Sequence, residues 1–228
     1  MIELHHVHKI FPNGSRALVD ISLHIGRDEF AFIVGPSGAG KSTLLCLLYR
    51  EEFPTSGEVF IDNINITKLK ESQIPYLRRN IGVVFQDYKL LPRRTVYENV
   101  AFALRVMEVP RPQIRRKVYQ VLELVNLAHK AKCFPTELSG GEQQRLCIAR
   151  AIVNSPPILL ADEPTGNVDP DTSWEIILLL EKINLRQTTV LVATHDKTIV
   201  DSMRKRVIAL EDGRITRDQQ VGGYDRES

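Results

Sequence analysis

The chain has 228 residues, of which 43% are hydrophobic and 25% are charged. These fractions are typical of a globular protein and exclude a disordered or fibrous chain. The formal net charge is only +2. This even balance argues against a protein whose main task is to coat nucleic acid or an anionic membrane.

Two features indicate a cytoplasmic location. Three cysteines, at positions 46, 133 and 147, fit neither a disulfide framework nor a zinc site, which favours a reduced compartment. No apolar run approaches the roughly 20 residues of a membrane-spanning helix, and the first residues lack the apolar core of a signal peptide. If the protein works at a membrane, another protein must anchor it there.

The first 30 residues and segment 57–66 differ from the rest of the chain. Their apolar residues approximate a period of two, and Asn13-Gly14 provides a turn signal. We expect an antiparallel sheet from these segments.

Five short apolar runs occupy residues 31–34, 82–85, 158–161, 190–193 and 207–210. Each is bounded by polar residues, glycine or proline, a pattern typical of strands buried on both faces of a parallel sheet. Helical segments separate most of them. The predicted fold class is therefore α/β, with helical crossovers between parallel strands.

Residues 87–134 contain no strand-like run and are predicted to form a helical insert. Thr95 and Glu98 have the spacing of a capping box, and Pro112 is placed to open a second helix. Both helices carry apolar stripes, which we expect to pack internally for most of their length, with a binding groove as the alternative.

The predicted organisation is a single domain, 1–228, with four parts. These are an antiparallel β subdomain (1–30 and 57–66), an α/β core (31–56, 67–86 and 135–216), a helical subdomain (87–134) and a flexible tail (217–228).

The strongest local motif is a glycine-rich loop that follows the run at 31–34 and precedes a predicted helix. Its sequence, GPSGAGKS, matches a phosphate-binding loop. Glycines let successive amides surround phosphate oxygens, Lys41 neutralises their charge, and the Ser42 hydroxyl is a ligand for Mg²⁺. The predicted nucleotide-contacting residues are Gly35, Pro36, Ser37, Gly38, Ala39, Gly40, Lys41, Ser42 and Thr43.

Two adjacent carboxylates end the run at 158–161. In a fold of this kind, carboxyl ends of parallel strands face the bound ligand. We expect Asp162 to hold Mg²⁺ and Glu163 to accept the proton of the attacking water. Taken alone, the pair could also be an ordinary solvent-exposed strand end.

The segment LSGGE forms a second candidate anion site. Ser139 and Glu142 have capping-box spacing, which by itself predicts only a helix start. A cap does not require Gly140 and Gly141, and paired glycines expose amides to an anion. Since one γ-phosphate does not need two separate cradles from one chain, we expect a second copy to supply this one.

Taken in order, GPSGAGKS, Gln86, LSGGE, ILLADE and His195 resemble the nucleotide-binding subunit of ABC (ATP-binding cassette) ATPases. The resemblance spans residues 2–216 and, within that family, is to the bacterial cell-division branch. It implies an ATP-hydrolysing subunit with Mg²⁺ that forms a homodimer on ATP binding. It also implies an integral membrane partner, a peripheral place at the cytoplasmic face of the plasma membrane, and control of peptidoglycan hydrolysis in cell division.

The resemblance also implies roles for individual residues. Phe11 would stack on adenine, with a strand-end core position as the alternative, and Gln86 would contact Mg²⁺ and the attacking water. Asp169 would lie at the dimer seam. His195 would contact the γ-phosphate and, with Glu163, position the water. The second copy's cradle would consist of Ser139, Gly140, Gly141 and Glu142.

A surface beside Gln86 is predicted to receive the membrane partner. It combines apolar side chains with a basic rim, as docking of a membrane protein's cytoplasmic segment requires. The predicted docking residues are Tyr88, Leu90, Leu91, Pro92, Arg93 and Arg94.

Two other functions remain open at this point. The chain could be the ATPase of a lipoprotein-release or macrolide-type exporter, because those relatives share the LSGGEQQR and DEPTGN stretches. It could also be an ATP-gated assembly module with little hydrolysis, although Glu163 and His195 argue against that.

Overall fold

The computed structural model describes residues 1–224. The strands are β1 (Ile2–Ile10), β2 (Arg16–Ile25), β3 (Phe30–Val34), β4 (Ser56–Ile61), β5 (Ile64–Asn65), β6 (Ile81–Val84), β7 (Ile158–Asp162), β8 (Thr189–Thr194), β9 (Arg206–Glu211) and β10 (Arg214–Gln219). The α-helices are α1 (Lys41–Leu48), α2 (Ile74–Arg78), α3 (Val96–Val106), α4 (Arg111–Leu124), α5 (Gly140–Ile152), α6 (Pro170–Asn184) and α7 (Lys197–Met203).

The chain divides into two compact units. One comprises Met1–Arg78 together with the residues from Thr189 onward, and the other comprises Arg79–Thr188. This division cuts across the predicted α/β core. The predicted four-part organisation therefore stays a prediction, and each unit is described by itself below.

The first unit contains the expected antiparallel sheet, with strand order β2-β1-β4-β5. Strand β1 lies at its centre, where Ile2 pairs with both Ile25 and Ile61. Ile2, Leu4 and Val7 of β1 are buried. The alternation visible in the sequence therefore marks the buried face of this sheet.

The first unit also contains parallel strands. β3 lies between β8 and β9 and pairs in parallel with both, and β10 adds an antiparallel edge beside β9. Every residue of β3 and β8 is buried, as expected for strands that are apolar on both faces. The parallel pairing brings the carboxyl ends of β3 and β8 to one edge, with Val34 opposite Thr194.

The second unit combines the parallel pair β6–β7 with helices α3 to α6. Helix α5 passes close to β6: a Cβ added at Gly82 would lie 2.6 Å from the carbonyl oxygen of Ala151. Helices α3 and α4 bury Val100 and Leu104, and Val118 and Leu122. The apolar stripes of the insert are thus mainly internal packing surfaces, as predicted.

The C-terminal segment is more ordered than the predicted tail at 217–228 implies. β10 extends to Gln219, and Asp218 accepts two hydrogen bonds, of 2.8 and 2.7 Å, from the guanidinium of Arg206. Residues 225–228 of that tail lie outside the described residues. Within residues 1–224, no helix has both the length and the apolar character needed to span a bilayer.

Candidate functional site

The glycine loop (residues 35–40) connects β3 to α1 in the first unit. Its backbone has positive φ at Gly35 (146°), Gly38 (81°) and Gly40 (102°). A Cβ added at Gly35 would lie 2.1 Å from the carbonyl oxygen of Leu210, and one at Gly40 would lie 2.3 Å from that of Ala17. No side chain fits these two positions, so the glycines fix the path of the loop against β9 and β2.

Lys41 is the first residue of α1 and is only 7% exposed. Its Nζ donates to the carbonyl oxygens of Gly35 (2.8 Å) and Pro36 (3.1 Å). The ammonium therefore lies over the loop, next to the helix N-terminus, whose free amides add positive potential. Ser42 follows immediately and is exposed. This arrangement suits a polyphosphate anion.

Phe11 lies in the turn between β1 and β2. Its amide donates to the Ser15 carbonyl (2.9 Å), and the Lys9 ammonium lies 4.9 Å from the centroid of its ring. The ring is half-buried, so Phe11 is not a fully buried core residue. The turn that carries Phe11 leads into β2, and the Ala17 carbonyl of β2 lies beside Gly40 of the glycine loop.

His195 follows β8, at the same sheet edge from which the glycine loop leaves β3. Its side chain is exposed. The next residue, Asp196, caps α7 by accepting from the Ile199 amide (3.1 Å), and its own amide donates to the Thr194 hydroxyl (3.0 Å). These two bonds fix the turn that carries His195. The first unit thus presents the loop and the histidine at one edge.

In the second unit, Asp162 is the last residue of β7 and Glu163 follows it with a left-handed backbone (φ 45°). The Glu163 carbonyl accepts from the amide of Gly166 (3.1 Å). Strand β6 pairs with β7 up to Val84, so Gln86 leaves the sheet at the same edge. A Cβ added at Gly166 would lie 3.7 Å from Cβ of Glu163 and 3.9 Å from Nε2 of Gln86. The structure therefore brings Gln86 and Glu163 together.

The signature turn (residues 139–142) begins α5. Ser139 Oγ accepts from the Glu142 amide (3.3 Å), and the Glu142 carboxylate accepts from the Ser139 amide (2.9 Å), which completes the predicted capping box. A Cβ added at Gly141 would lie 2.3 Å from Cγ2 of Thr172 in α6. The second glycine is thus required for packing against α6, whatever else it binds.

Gly140 connects the signature turn to the other loops of this unit. A Cβ added there would lie 3.3 Å from the carbonyl oxygen of Asn167 and 3.5 Å from the hydroxyl of Tyr88. Asp169, two residues after Asn167, caps α6 by accepting from the Thr172 amide (3.0 Å), a bond that lowers the pKa of its carboxyl. The structure gives Asp169 a capping role and leaves its predicted place at a dimer seam untested.

Comparison with known proteins identifies the family. The family model described as ABC transporter matches residues 18–166. This chain belongs to the ABC transporter family. It is 58% identical over 224 residues to the cell division ATP-binding protein FtsE of Bacillus subtilis, covering 98% of each chain. It is 56% identical to FtsE of Streptococcus pneumoniae strain D39, covering 98% of this chain and 97% of that one.

A solved structure with the same fold is a dimeric, post-hydrolysis state of the ATP-binding cassette MJ0796 bound to ADP and Pi. It has a TM-score of 0.87 and 39% sequence identity, and the match covers 98% of this chain and 100% of that one. The predicted ABC ATPase fold, with its parallel strands, antiparallel sheet and helices, is confirmed. The predicted membership of the cell-division branch, whose relatives are the FtsE proteins, is confirmed as well.

Sequence reasoning missed the residues that hold the docking loop (residues 88–94) of this ABC ATPase. Asn99 of α3, fully buried, accepts from the Leu91 amide (2.8 Å) and donates to the carbonyls of Leu91 (3.1 Å) and Arg94 (3.0 Å). Arg150 of α5 donates to the Tyr88 carbonyl (2.9 Å). An asparagine inside an apolar helical stripe was the one available signal, because a buried amide needs partners.

Cys147 has a second role besides the packing that its sequence context indicates. Its thiol lies 3.0 Å from the Tyr88 carbonyl, the same oxygen that accepts from Arg150. Burial raises the pKa of this thiol to about 12, so it stays protonated and is a weak donor at neutral pH. Two residues of α5, the helix that begins at the signature turn and is called the signature helix below, therefore hold the start of the docking loop.

Glu142 of the signature turn is paired with Lys130, whose Nζ lies 2.6 Å from its carboxylate. This bond and the Ser139 amide lower the pKa of Glu142 from its usual 4.5. A lowered carboxyl pKa stabilises the fold above pH 4.5, and this stabilisation is lost as the pH falls through the folded-state pKa. We expect Lys130→Gln to cost about 0.5–1 kcal/mol of unfolding free energy at pH 7, with the difference from wild type vanishing in acid.

Urea unfolding between pH 3 and 7 measures this difference. Lys132→Gln is the matched control, because that side chain is exposed and forms no ion pair within residues 1–224. A Lys130→Gln cost that did not change with pH would show that the pair with Glu142 is not its source.

Proposed function

We propose that this chain is the ATP-binding and ATP-hydrolysing subunit of a membrane complex of the FtsE–FtsX type. The observation that carries the proposal is the glycine loop with the Lys41 ammonium lying over it, at the N-terminus of α1. Loops of this construction bind the β- and γ-phosphates of a nucleoside triphosphate. The FtsE relatives at 56–58% identity are named for ATP binding and cell division, which supports both halves of the proposal.

Hydrolysis requires a water to attack the γ-phosphorus while the bond from that phosphorus to the ADP oxygen breaks. Glu163 accepts the proton that the water loses, and His195 holds the γ-phosphate and the water in line. Lys41 neutralises the charge that moves onto the leaving oxygen. Glu163 and Gln86 reach one sheet edge together, which supports a shared role in positioning the water.

The metal predicted for this reaction fits the donor set. Ser42, Gln86 and Asp162 offer a hydroxyl, an amide carbonyl and a carboxylate, the oxygen ligands that Mg²⁺ prefers. Residues 1–224 contain no cluster of three or more His, Cys, Asp or Glu side chains that could hold a metal ion. This suits Mg²⁺ that arrives with the nucleotide, since it keeps waters and phosphate oxygens as its other ligands. When bound, it would neutralise phosphate charge.

A second copy of the chain would complete the site. Ser139, Gly140 and Gly141 would close on the γ-phosphate bound to the partner, so that ATP bridges two copies and its hydrolysis releases them. The MJ0796 structure, a post-hydrolysis state bound to ADP and Pi, is dimeric, which supports the pairing of two copies. Asp169 would lie at the seam of this dimer.

The docking loop would receive the membrane partner, and this docking would hold the chain at the cytoplasmic face of the plasma membrane. Leu90 and Leu91 are half-exposed, and Pro92, Arg93 and Arg94 are exposed. The loop is fixed through Asn99 of α3, so the surface is formed before any partner binds.

Helix α3 extends this surface beyond the residues that the sequence indicates. Phe102 and Val106 follow Asn99 at helical spacings of three and seven residues and are 48% and 57% exposed. They therefore continue the face of α3 to which the docking loop is bound. Large apolar side chains left in water on one face are typical of a protein interface.

Co-purification with an FtsX-type membrane protein tests this docking. We expect Leu91→Ser combined with Phe102→Ser to weaken capture of that partner by roughly tenfold or more, since truncating buried interface anchors costs above about 1 kcal/mol each. Basal ATP hydrolysis should stay unchanged, because neither side chain is assigned to the nucleotide site.

Leu178→Ser is the matched control, because Leu178 of α6 is also exposed (42%) and lies outside the docking surface. Undiminished capture by the double variant would reject this surface. Capture of a lipoprotein-release or macrolide-type membrane subunit in place of an FtsX-type one would favour the exporter function.

A further inference from the structure

A cleft of about 470 Å³ lies in the helical insert, apart from the nucleotide-binding residues and the docking surface. Its volume falls in the range of roughly 300–1,000 Å³ typical of ligand sites. Three segments supply its walls: α3, α4 and the loop before the signature turn. The lining residues are Thr95, Tyr97, Glu98, Arg105, Arg115, Tyr119, Ala131 and Lys132.

The cleft is distinct from the docking surface on the same helix. With 3.6 residues per turn, Tyr97 points about 140–180° away from Phe102 and Val106 on α3, whereas Arg105 follows Phe102 by three residues and points only about 60° away from it. Arg105 therefore borders both surfaces, and Tyr97 points away from the docking surface. The two surfaces can serve different ligands.

The cleft is basic. It contains Arg105, Arg115 and Lys132, one from each of its three walls, and a single carboxylate, that of Glu98. In the described part of the chain, Arg115 and Lys132 form no ion pair. The Glu98 carboxylate already accepts from the Thr95 amide (2.9 Å) and lies 3.6 Å from the Arg94 guanidinium. Arg94 thus offsets part of its charge, and Arg105 of the cleft also interacts with it, which leaves Arg115 and Lys132 as the cations of the cleft without a counter-charge within residues 1–224.

The cleft also has an aromatic wall. The rings of Tyr97 and Tyr119 lie with centroids 5.8 Å apart and planes tilted by 45°. Both side chains are half-buried, so part of each remains accessible to a ligand. Such pairs bind apolar or aromatic side chains while their hydroxyls remain available for hydrogen bonds.

The backbone around the cleft disfavours a single phosphate as the ligand. The first amides of α3 already have hydrogen-bond acceptors: the Val96 amide donates to the Cys133 carbonyl (2.8 Å), and the Tyr97 amide donates to the Ala131 carbonyl (2.9 Å). The Glu98 amide donates to the Thr95 hydroxyl (3.2 Å). An anion would be held by side-chain cations alone, and these come from three separate segments. Cations on three separate segments can each pair with a different carboxylate of an extended chain.

We propose that this cleft binds an acidic peptide segment of a protein partner, with carboxylates facing Arg105, Arg115 and Lys132 and an apolar or aromatic side chain against the Tyr97–Tyr119 pair. The site is independent of ATP hydrolysis and goes beyond the proposed function. Lys132 of the cleft lies two residues after Lys130, which is paired with Glu142 of the signature turn. A segment bound in the cleft would therefore lie beside the loop that leads into that turn.

The test uses the full chain and a fluorescein-labelled peptide of sequence EDFEELDE, followed by fluorescence anisotropy. We expect saturable binding that weakens with added salt, because the cations are exposed. The peptide with Gln and Asn in place of Glu and Asp should not bind. Arg115→Glu combined with Lys132→Glu should weaken binding by about tenfold or more, as charge reversal at two contacts predicts.

Arg111→Glu combined with Arg116→Glu is the matched control, because it makes the same charge change on exposed positions of α4 outside the cleft. It should change the affinity by less than about threefold. Tyr119→Ser should weaken peptide binding with no change of charge. Equal losses in the two double variants would overturn the proposal, since they would indicate diffuse attraction. The proposal would also be overturned if the peptide failed to bind and phosphatidylglycerol vesicles bound in a manner that depends on Arg115 and Lys132.

Discussion

Replacing Lys41 with alanine should remove most of the affinity for ATP. The side chain is 7% exposed and its ammonium donates to two loop carbonyls at 2.8 and 3.1 Å, so the substitution removes a positive charge fixed over the loop. Hydrogen bonds to charged groups are worth about 1.5–3 kcal/mol each. Loss of about 2–3 kcal/mol corresponds to roughly 30–150-fold weaker binding. Titration with a fluorescent ATP analogue measures this change.

The control for Lys41→Ala must show that the fold survives the substitution. Lys68→Ala removes another lysine of the same unit, one that is 74% exposed and paired with Glu58, and should leave ATP affinity unchanged. The urea midpoint of both variants checks folding. Binding at the wild-type level by a folded Lys41→Ala variant would reject the glycine loop as the phosphate site.

The sequence predicts the buried strands well, and for a physical reason. β3, β7 and β8 are apolar on both faces, and each observed strand lies within one residue of its predicted bounds at either end. The sequence also predicts the starts of α3 and α5, because Thr95 and Ser139 are N-caps in capping boxes. The hydrogen bonds of a capping box join residues only three positions apart. Local rules suffice where the interaction is local.

The contacts that organise the site could not be predicted in the same way. Arg150 reaches the Tyr88 carbonyl across 62 positions of sequence, and Thr172 of α6 is the residue that excludes a side chain at Gly141. Helical periodicity says which face of a helix is buried, but it does not say which distant segment covers that face. The basic cleft was missed for the same reason, since its cations come from segments that are adjacent only in the folded chain.

The association of the signature helix with the docking loop has a mechanical consequence. Tyr88 is held by Arg150 and Cys147 of α5 through its carbonyl, and its hydroxyl lies near Gly140. A membrane partner that moved the proposed docking loop would therefore act on α5, the helix whose N-terminus is proposed to bind the partner subunit's ATP. A contact shared by two sites is one route by which a change at one site can influence the other.

Glu163→Gln should separate ATP binding from hydrolysis. Glutamine keeps the size of the side chain and its hydrogen-bonding capacity, but it cannot take the proton from the attacking water. General-base catalysis contributes about 10²–10⁴ in rate, so we expect a loss of turnover of that order with ATP affinity retained. Because ATP would then persist between two copies, the variant should accumulate as a closed dimer, which size-exclusion chromatography with light scattering detects.

Glu175→Gln is the control. That carboxylate is 68% exposed, and its one ion pair within residues 1–224 is with Arg145 at 3.3 Å. This variant should turn over ATP as the wild type does.

The behaviour of Glu163→Gln also distinguishes an ATPase from an ATP-gated assembly module. In an assembly module with little hydrolysis, dimerisation depends on ATP binding and not on proton transfer, so Glu163→Gln would leave both its dimerisation and its slow turnover unchanged. If the chain is an ATPase, the same substitution should lower turnover and lengthen the lifetime of the dimer, because hydrolysis is both the step that is measured and the step that opens the dimer. A Glu163→Gln variant that hydrolyses ATP at the full rate as a monomer would contradict both the role of Glu163 and the shared site.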